Sequence, residues 1–266
     1  MKALFTSFIF VLTISCNSSI SGEKTTVVAY TKTSISKKRI LFVTSNAHFY
    51  GNSNIESTNH FPEIIFAYHE FIKAGFDIDF VSPQGGAIAI GYIHSSDSIT
   101  KKYLYDEKFM DKLENTYLPK QIDYAQYIAV YYSGGGSAMF TVPENKEIQQ
   151  ISMNIYEKNG GVISAICHGT AGIANLKLSD STFLVANRKI TGFPDVFENK
   201  ESQYFKEFPF SIQEKIIENG GDFIYSKEGW DNYHIQEGRI VTGQDPTSAS
   251  LIAKKVIEIL KHQKIN

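Results

Sequence analysis

Cys167 is followed directly by His168 and Gly169, in the run AICHGTAG that spans 165–172. The apolar stretch before it predicts a buried strand, and the small residues after it permit the sharp turn of a nucleophile elbow. In open α/β sheets, ligands bind at the carboxyl ends of strands, where this cysteine would lie. A helix N-terminus directly behind the sulfur favours the thiolate, so we expect a lowered pKa for the Cys167 thiol. A lone cysteine can also be a small buried apolar residue, but these neighbours favour a functional nucleophile.

Composition and charge exclude several other kinds of site. Among 266 residues, 26 are basic and 28 are acidic, so the net charge of -2 leaves no basic excess for a nucleic-acid backbone. The two cysteines exclude a disulfide scaffold and a zinc site of four cysteines. The scattered histidines lack the spacing of a metal site; they are His48, His60, His69 and His234. We therefore expect no cofactor, no required metal and no nucleic-acid partner.

The N-terminus has the pattern of a targeting segment. Residues 1–16 combine Lys2 with an apolar stretch that is too short to span a bilayer, and they end at Cys16. The end of the segment resembles the lipobox of bacterial lipoproteins, which predicts lipidation of Cys16, and 17–37 has the composition of a flexible tether. We expect an exported protein of a bacterial periplasm, anchored to the membrane only through this lipid. An ordinary signal peptide on a secreted protein and a cytosolic chain with an unusual N-terminus are the alternatives.

Strands and helices alternate over 38–264, which is predicted to be one α/β domain. Apolar, β-branched runs predict strands at 39–44, 77–81, 127–132 and 162–166, with later short strands near 189–191, 223–225 and 239–242. Helical spacing predicts helices at 62–74, 145–158, 169–176 and 247–261. Residues 87–120 lack a clear period and are predicted to be an inserted cap or a long loop. This order favours a mostly parallel sheet with helices on both faces.

Five further segments occur around the elbow in the order found in a known family. They are Phe61-Pro62-Glu63; the run FVSPQGG at 80–86; the run YSGGGSAMF at 132–140; Thr191-Gly192-Phe193; and the run VTGQDP at 241–246. With the elbow, they resemble the ThiJ/PfpI superfamily, also called class I glutamine amidotransferase-like, and more closely its heat-shock-chaperone and glutathione-independent glyoxalase branch. The resemblance covers about 39–262. It implies a three-layer sandwich with a flavodoxin-like sheet and a small inserted cap.

The resemblance also implies roles for individual residues. Cys167 would be the nucleophile, His168 the general base, and Glu63 a carboxyl pointing at the thiol. An acid that holds His168 is expected after the Thr191-Gly192-Phe193 segment. Glu198 has the expected offset, Asp195 is the competitor, and the absence of any third acid is the remaining alternative.

Backbone groups would complete this implied site. Gly135 and Gly136 would supply N–H groups to a developing oxyanion, together with the N–H of His168.

Trp230, Tyr225 and Tyr233 could form an exposed aromatic patch, although core or interface packing is the ordinary role of such residues.

The implied activity is the conversion of methylglyoxal and water to lactate without glutathione. Glycated proteins are a second implied substrate, which would make the protein a deglycase as well. Glutamine amidotransfer is disfavoured because Ala165 replaces the first glycine of that family's elbow and no His-x-Glu pair is present. The alternatives without turnover are a holding chaperone for unfolded proteins and a redox sensor that oxidises Cys167. A homodimer is the expected assembly.

Overall fold

A computed structural model describes residues 39–263 of the chain. The predicted targeting segment 1–16, with Cys16, and the predicted tether 17–37 lie outside these residues. The strands of the described part are β1 (Arg39–Val43), β2 (Asn59–His60), β3 (Asp77–Val81), β4 (Ile90–Gly91), β5 (Tyr127–Tyr132), β6 (Val162–Ile166), β7 (Lys189–Ile190), β8 (Asp222–Phe223), β9 (His234–Glu237) and β10 (Ile240–Gly243). Its α-helices are α1 (Phe61–Lys73), α2 (Ser98–Leu104), α3 (Glu107–Glu114), α4 (Lys146–Glu157), α5 (Ala171–Ala174), α6 (Gln203–Lys206), α7 (Ile212–Glu218) and α8 (Ala249–His262).

The central sheet has six strands in the order β3-β1-β5-β6-β10-β9. Five of them are parallel, and β9 pairs with β10 in the antiparallel direction at the edge. Because β5 and β6 are neighbours in the middle of the sheet, the loops that follow them meet at the same edge. The Gly-rich run after β5 therefore lies beside the Cys167 elbow after β6.

Helices cover both faces of this sheet, as the alternation of side chains in β1 shows. Ile40 and Phe42 point into a core shared with α1 and α8, whereas Leu41 and Val43 point into a core shared with α4 and α7. A strand covered on both faces needs a continuous apolar sequence, and β1 has one after Arg39. The predicted three-layer α/β architecture with a mostly parallel sheet is confirmed.

The structure differs from the prediction in three places. The helix expected at 169–176 is only a short 3-10 turn, Cys167–Thr170, followed by the four residues of α5. The strand expected at 223–225 is β8, which pairs with β7 in a separate two-stranded ladder instead of joining the sheet. The edge strand β9 was not predicted, because its sequence HIQE is half polar and only partly buried.

The segment predicted as an inserted cap contains β4, α2 and α3. The two helices begin at aspartate caps: Asp97 accepts a hydrogen bond from the Thr100 N–H at 2.7 Å, and Asp106 accepts one from the Phe109 N–H at 3.1 Å. The ring of Phe109 lies 4.7 Å from that of Tyr68 on α1, which fixes the segment to the core. Within 39–263, none of the helices has the length and apolar character that a bilayer span requires.

Phe42 is the centre of an aromatic cluster in the core, with ring centroids 4.6 Å from Tyr131 and 5.2 Å from Phe80. We expect Phe42→Ala to lower the free energy of unfolding by about 3–5 kcal/mol, because it removes buried surface and leaves a cavity. Denaturant titration measures this loss. Phe49→Ala is the matched control, since the Phe49 side chain is 48% exposed and should change the free energy by about 0.5 kcal/mol or less. Equal losses in the two variants would contradict the assignment of Phe42 to the core.

Candidate active site

Cys167 lies at the tip of a strained turn between β6 and the 3-10 turn. Its φ of +54° is in the left-handed region, which costs a non-glycine residue roughly 1–3 kcal/mol. The end of β5 packs closely against this turn. A Cβ added to Gly169 would lie 2.4 Å from the Tyr132 carbonyl oxygen. The strain places the sulfur at the carboxyl edge of the sheet, where it lines a cavity.

His168 connects the thiol to an acid from a distant loop. Its Nδ1 lies 3.3 Å from the Cys167 Sγ, and its Nε2 lies 2.8 Å from Glu198 Oε1. A carboxylate at Nε2 favours the tautomer with the proton on that nitrogen, which leaves the Nδ1 lone pair facing the thiol. The ring stacks on Phe193 at 4.8 Å, so its orientation is fixed from the side as well.

The structure distinguishes between the two acids proposed as the partner of His168. Glu198 contacts the imidazole, and its second oxygen accepts a hydrogen bond from the Tyr204 hydroxyl at 3.3 Å. Asp195 instead accepts a hydrogen bond from the Ser211 hydroxyl at 2.7 Å and lies 3.4 Å from the Lys200 amine. Asp195 is therefore bound to its own loop and to α7.

Glu63 approaches the thiol from the first turn of α1. Its side chain is fully buried, and Oε2 accepts a hydrogen bond from the Gly134 N–H at 2.8 Å. Burial raises the pKa of Glu63 to about 8, which exceeds the opposing effects of the Gly134 N–H and of the neighbouring Cys167 thiol. Glu63 is thus mainly a neutral acid at pH 7.

The lowered thiol pKa expected from the sequence is not found. Burial raises the pKa of Cys167, and the charge of an ionised Glu63 would raise it further. The helix behind the sulfur is too short to compensate, because the 3-10 turn and α5 together span only 167–174. Thiol and carboxyl titrate as a coupled pair, and the pair carries at most one negative charge near neutral pH.

The sulfur and the imidazole open into a cavity of about 490 Å³. Gly135 and Gly136 line it, whereas the N–H of Gly134 is used by Glu63. A Cβ on Gly135 would lie 2.3 Å from the Thr58 carbonyl oxygen, so this close approach excludes any side chain there. The use of Gly135 and Gly136 as oxyanion donors remains a prediction.

Several lining residues were not predicted as site residues. His60, Tyr50, Tyr92 and Tyr204 supply polar groups, while Phe208 and Phe197 supply apolar surface. His60 does not have the spacing of a metal ligand, but its position three residues before Glu63 is a signal that could have found it. Tyr92 comes from the inserted segment, which has no period that marks it.

Trp230 also lines the cavity, at its rim, where the side chain is 57% exposed. Its ring contacts Phe197 at 5.4 Å and Phe193 at 6.3 Å. Of the predicted aromatic patch, Trp230 alone lines this cavity, and Tyr225 and Tyr233 do not. In the described part of the chain, His, Cys, Asp and Glu side chains form no group of three or more that could hold a metal.

A sequence model of the DJ-1/PfpI family matches residues 59–259, a range that contains Glu63, Cys167, His168 and Glu198. The chain belongs to the DJ-1/PfpI family. The resemblance to the ThiJ/PfpI superfamily found in the sequence is thereby confirmed. Membership does not itself test the roles of the site residues, which remain proposals.

Within the DJ-1/PfpI family, the chain is similar to fungal glyoxalases. It is 29% identical to "Glutathione-independent glyoxalase HSP31" of Saccharomyces cerevisiae, over 85% of this chain and 99% of that protein. It is 31% identical to "Glutathione-independent glyoxalase hsp3102" of Schizosaccharomyces pombe, over 84% of this chain and 98% of that protein.

Two solved structures share the fold and most of the length. Glyoxalase III from Candida albicans superposes with a TM-score of 0.76 and 27% identity, over 84% of this chain and 97% of that one. Rapid Encystment Protein 24 KDa of Francisella tularensis superposes with a TM-score of 0.78 and 30% identity, over 84% of this chain and 99% of that one.

The predicted location of the protein is wrong. Export to a bacterial periplasm with a lipid anchor on Cys16 is contradicted by the curated relatives, which are fungal glyoxalases of the HSP31 type and give no support for a signal peptide or a lipoprotein. The short apolar stretch and a single cysteine were a weak basis for that prediction.

The coupling of Glu63 and Cys167 predicts a shift in thiol reactivity. In Glu63→Gln, we expect the pH midpoint for alkylation of Cys167 by iodoacetamide to fall, because the amide cannot carry the negative charge that raises the thiol pKa. The rate of alkylation measured from pH 5 to pH 10 shows whether the rise toward thiolate reactivity begins at a lower pH in the variant than in the wild type. Glu56→Gln is the matched control, since Glu56 is exposed and should leave the midpoint unchanged. An unchanged or higher midpoint in Glu63→Gln would contradict the coupling.

Proposed function

We propose that the protein is a glutathione-independent glyoxalase that converts methylglyoxal and water to lactate. The observation that carries the proposal is the continuous contact from Glu198 through His168 to Cys167, at 2.8 and 3.3 Å, with a buried acid behind the sulfur. The names of the relatives support the same reaction, and they make a small aldehyde the expected substrate.

The first step is attack of the sulfur on the aldehyde carbon. Because the thiol pKa is raised, His168 Nδ1 takes the thiol proton as the C–S bond forms. The same proton then passes to the former aldehyde oxygen, which gives a hemithioacetal. The N–H groups of Gly135 and Gly136 stabilise the developing oxyanion, and such donors contribute roughly 3–4 kcal/mol each in known acyl-transfer sites.

The second step moves hydrogen from one carbon to the next. His168 removes the hydrogen of the former aldehyde carbon as a proton, and an enediolate forms. Return of a proton to the neighbouring carbon gives a thioester on Cys167, which water hydrolyses to lactate. Glu198 stabilises the imidazolium that exists between these transfers.

Two further features of the protein remain proposals. Adducts of the same aldehydes on protein amines present a similar carbon to the thiol, so protein deglycation is a second reaction to test. The proposed assembly is a homodimer, which sedimentation equilibrium of the domain measures directly.

Lactate formation from methylglyoxal tests the glyoxalase proposal. The purified wild-type domain should form lactate without glutathione, and Cys167→Ala should lower kcat/KM by at least about 1,000-fold, because it removes the sulfur that forms the covalent adduct. If both proteins lack activity and suppress aggregation of an unfolded client equally, the protein is a holding chaperone instead.

Glu198 and Asp195 offer a matched pair of substitutions on one loop. Glu198→Gln should lower kcat by at least about tenfold, because the amide cannot stabilise the His168 imidazolium by charge. Asp195→Asn removes the same charge from a residue that contacts Ser211 and Lys200, so kcat should stay within about twofold. Equal losses in the two variants would contradict the role of Glu198.

A further inference from the structure

Two buried polar atoms face each other behind the cavity without a hydrogen-bond partner. His60 Nδ1 and Glu63 Oε1 are 3.6 Å apart, slightly beyond hydrogen-bond distance, and neither has another partner in the described part of the chain. The other carboxyl oxygen of Glu63 is held by the Gly134 N–H. A buried polar atom without a partner is rare in a folded protein and needs an explanation, of which a part in catalysis is one.

His60 lies between the buried carboxyl of Glu63 and the cavity. Glu63 is fully buried and is not among the residues that line the cavity. His60 does line the cavity, while its Nδ1 faces the carboxyl. An imidazole can accept a proton at one nitrogen and release one from the other, which is what this position requires.

The ring of His60 is held in place by its surroundings. It stacks on Tyr92 with ring centroids 4.4 Å apart, and its backbone N–H donates to the Gly134 carbonyl at 3.0 Å. Burial and the neighbouring His168 and His94 lower the pKa of His60 to about 3. A neutral imidazole with a free nitrogen is therefore the resting form at neutral pH.

We propose that His60 relays a proton between Glu63 and the oxygens of the intermediate bound in the cavity. The inference rests on the proposed glyoxalase function. It assigns to His60 a proton transfer that Cys167, His168 and Glu198 do not supply. In this proposal Glu63 donates and recovers a proton, and the His60 imidazole carries it to and from the substrate.

The relay balances protons within the enediolate step. When His168 removes the C1 hydrogen as a proton, the electron pair forms a C1=C2 double bond and the C2 carbonyl oxygen becomes negative. His60 Nε2 gives its proton to that oxygen while Nδ1 takes the proton of Glu63 Oε1. The result is a neutral enediol, a Glu63 carboxylate and His60 in its other tautomer.

The reverse transfer completes the step. The double bond takes a proton at C2 from the His168 imidazolium, and the C1 hydroxyl bond supplies the electron pair of the new C1 carbonyl. The hydroxyl proton returns to Glu63 through His60. The thioester remains on Cys167, and all three acid–base groups recover their initial protonation state.

Chemical rescue tests the relay. We expect His60→Ala to lower kcat for methylglyoxal by about 100-fold, in the range of general acid–base catalysis, with KM changed by less than about threefold. Imidazole added to the variant should restore the rate at least about tenfold, because it can enter the space left by the side chain and carry a proton through both nitrogens. N-methylimidazole should restore little, since one of its nitrogens cannot pass a proton.

Two controls separate the relay from a structural effect. Alkylation of Cys167 by iodoacetamide should proceed in His60→Ala at close to the wild-type rate, which shows that the elbow is intact. His48→Ala removes an exposed imidazole from the loop after β1 and should keep wild-type kcat. Retained activity in His60→Ala, a loss that imidazole does not reverse, or equal rescue by both compounds overturns the relay. If the wild type itself forms no lactate, the glyoxalase proposal fails and the relay with it, whereas a normal wild type beside a fully active His60→Ala eliminates the relay alone.

Discussion

A buried thiol and a buried carboxyl face each other at the edge of the sheet, in a place that tolerates only one negative charge. Glu63 is fully buried with its pKa raised to about 8, and burial also raises the pKa of Cys167. Desolvation of charge is the common cause of both shifts. The site is therefore neutral at rest, and under the proposed mechanism the thiolate has to be generated when a substrate is present.

This constraint explains the arrangement around the pair. Gly134 lacks a side chain because a Cβ there would lie 2.6 Å from Glu63 Oε2 and 2.8 Å from the Ile166 carbonyl oxygen. Its N–H can thus reach the carboxyl, and the next glycines can line the cavity. On the other side of the sulfur, His168 is held between Glu198 and Phe193, with its Nδ1 3.3 Å from the thiol. The sheet order is what brings the loops after β5 and β6 into this contact.

Much of this arrangement could be predicted from the sequence because it depends on short local patterns. The run AICHG marks the elbow and Phe61-Pro62-Glu63 marks the start of a helix, while the offset of Glu198 from Thr191 became meaningful only through the resemblance to the ThiJ/PfpI superfamily. The direction of the thiol pKa could not be predicted in this way, because it depends on the depth of burial and on a helix that ends early at Ala174. Both are products of packing.

Other parts of the cavity wall could not be predicted from the sequence. His60 and Tyr92 lie 32 positions apart and stack only because β2 and β4 pair, which two-residue strands do not reveal beforehand. Trp230 reaches the same cavity from the loop before β9, an edge strand whose polar sequence gave no signal.

The buried carboxyl of Glu63 also makes the stability of the fold depend on pH. In the unfolded chain a glutamate ionises near its ordinary pKa of about 4.3, whereas in the folded chain Glu63 keeps its proton up to about pH 8. Between these values the native state binds the extra proton, so the contribution of Glu63 to the unfolding free energy declines with each step toward alkalinity. Above about pH 8 that decline levels off, because Glu63 is then ionised in the folded chain as well. The folded chain then carries the full cost of a buried carboxylate. The buried His60 acts in the opposite direction below its ordinary pKa of 6.5, because its own pKa is lowered to about 3 in the folded chain. The loss of stability due to Glu63 is therefore expected mainly as the pH rises from about 6.5 to about 8.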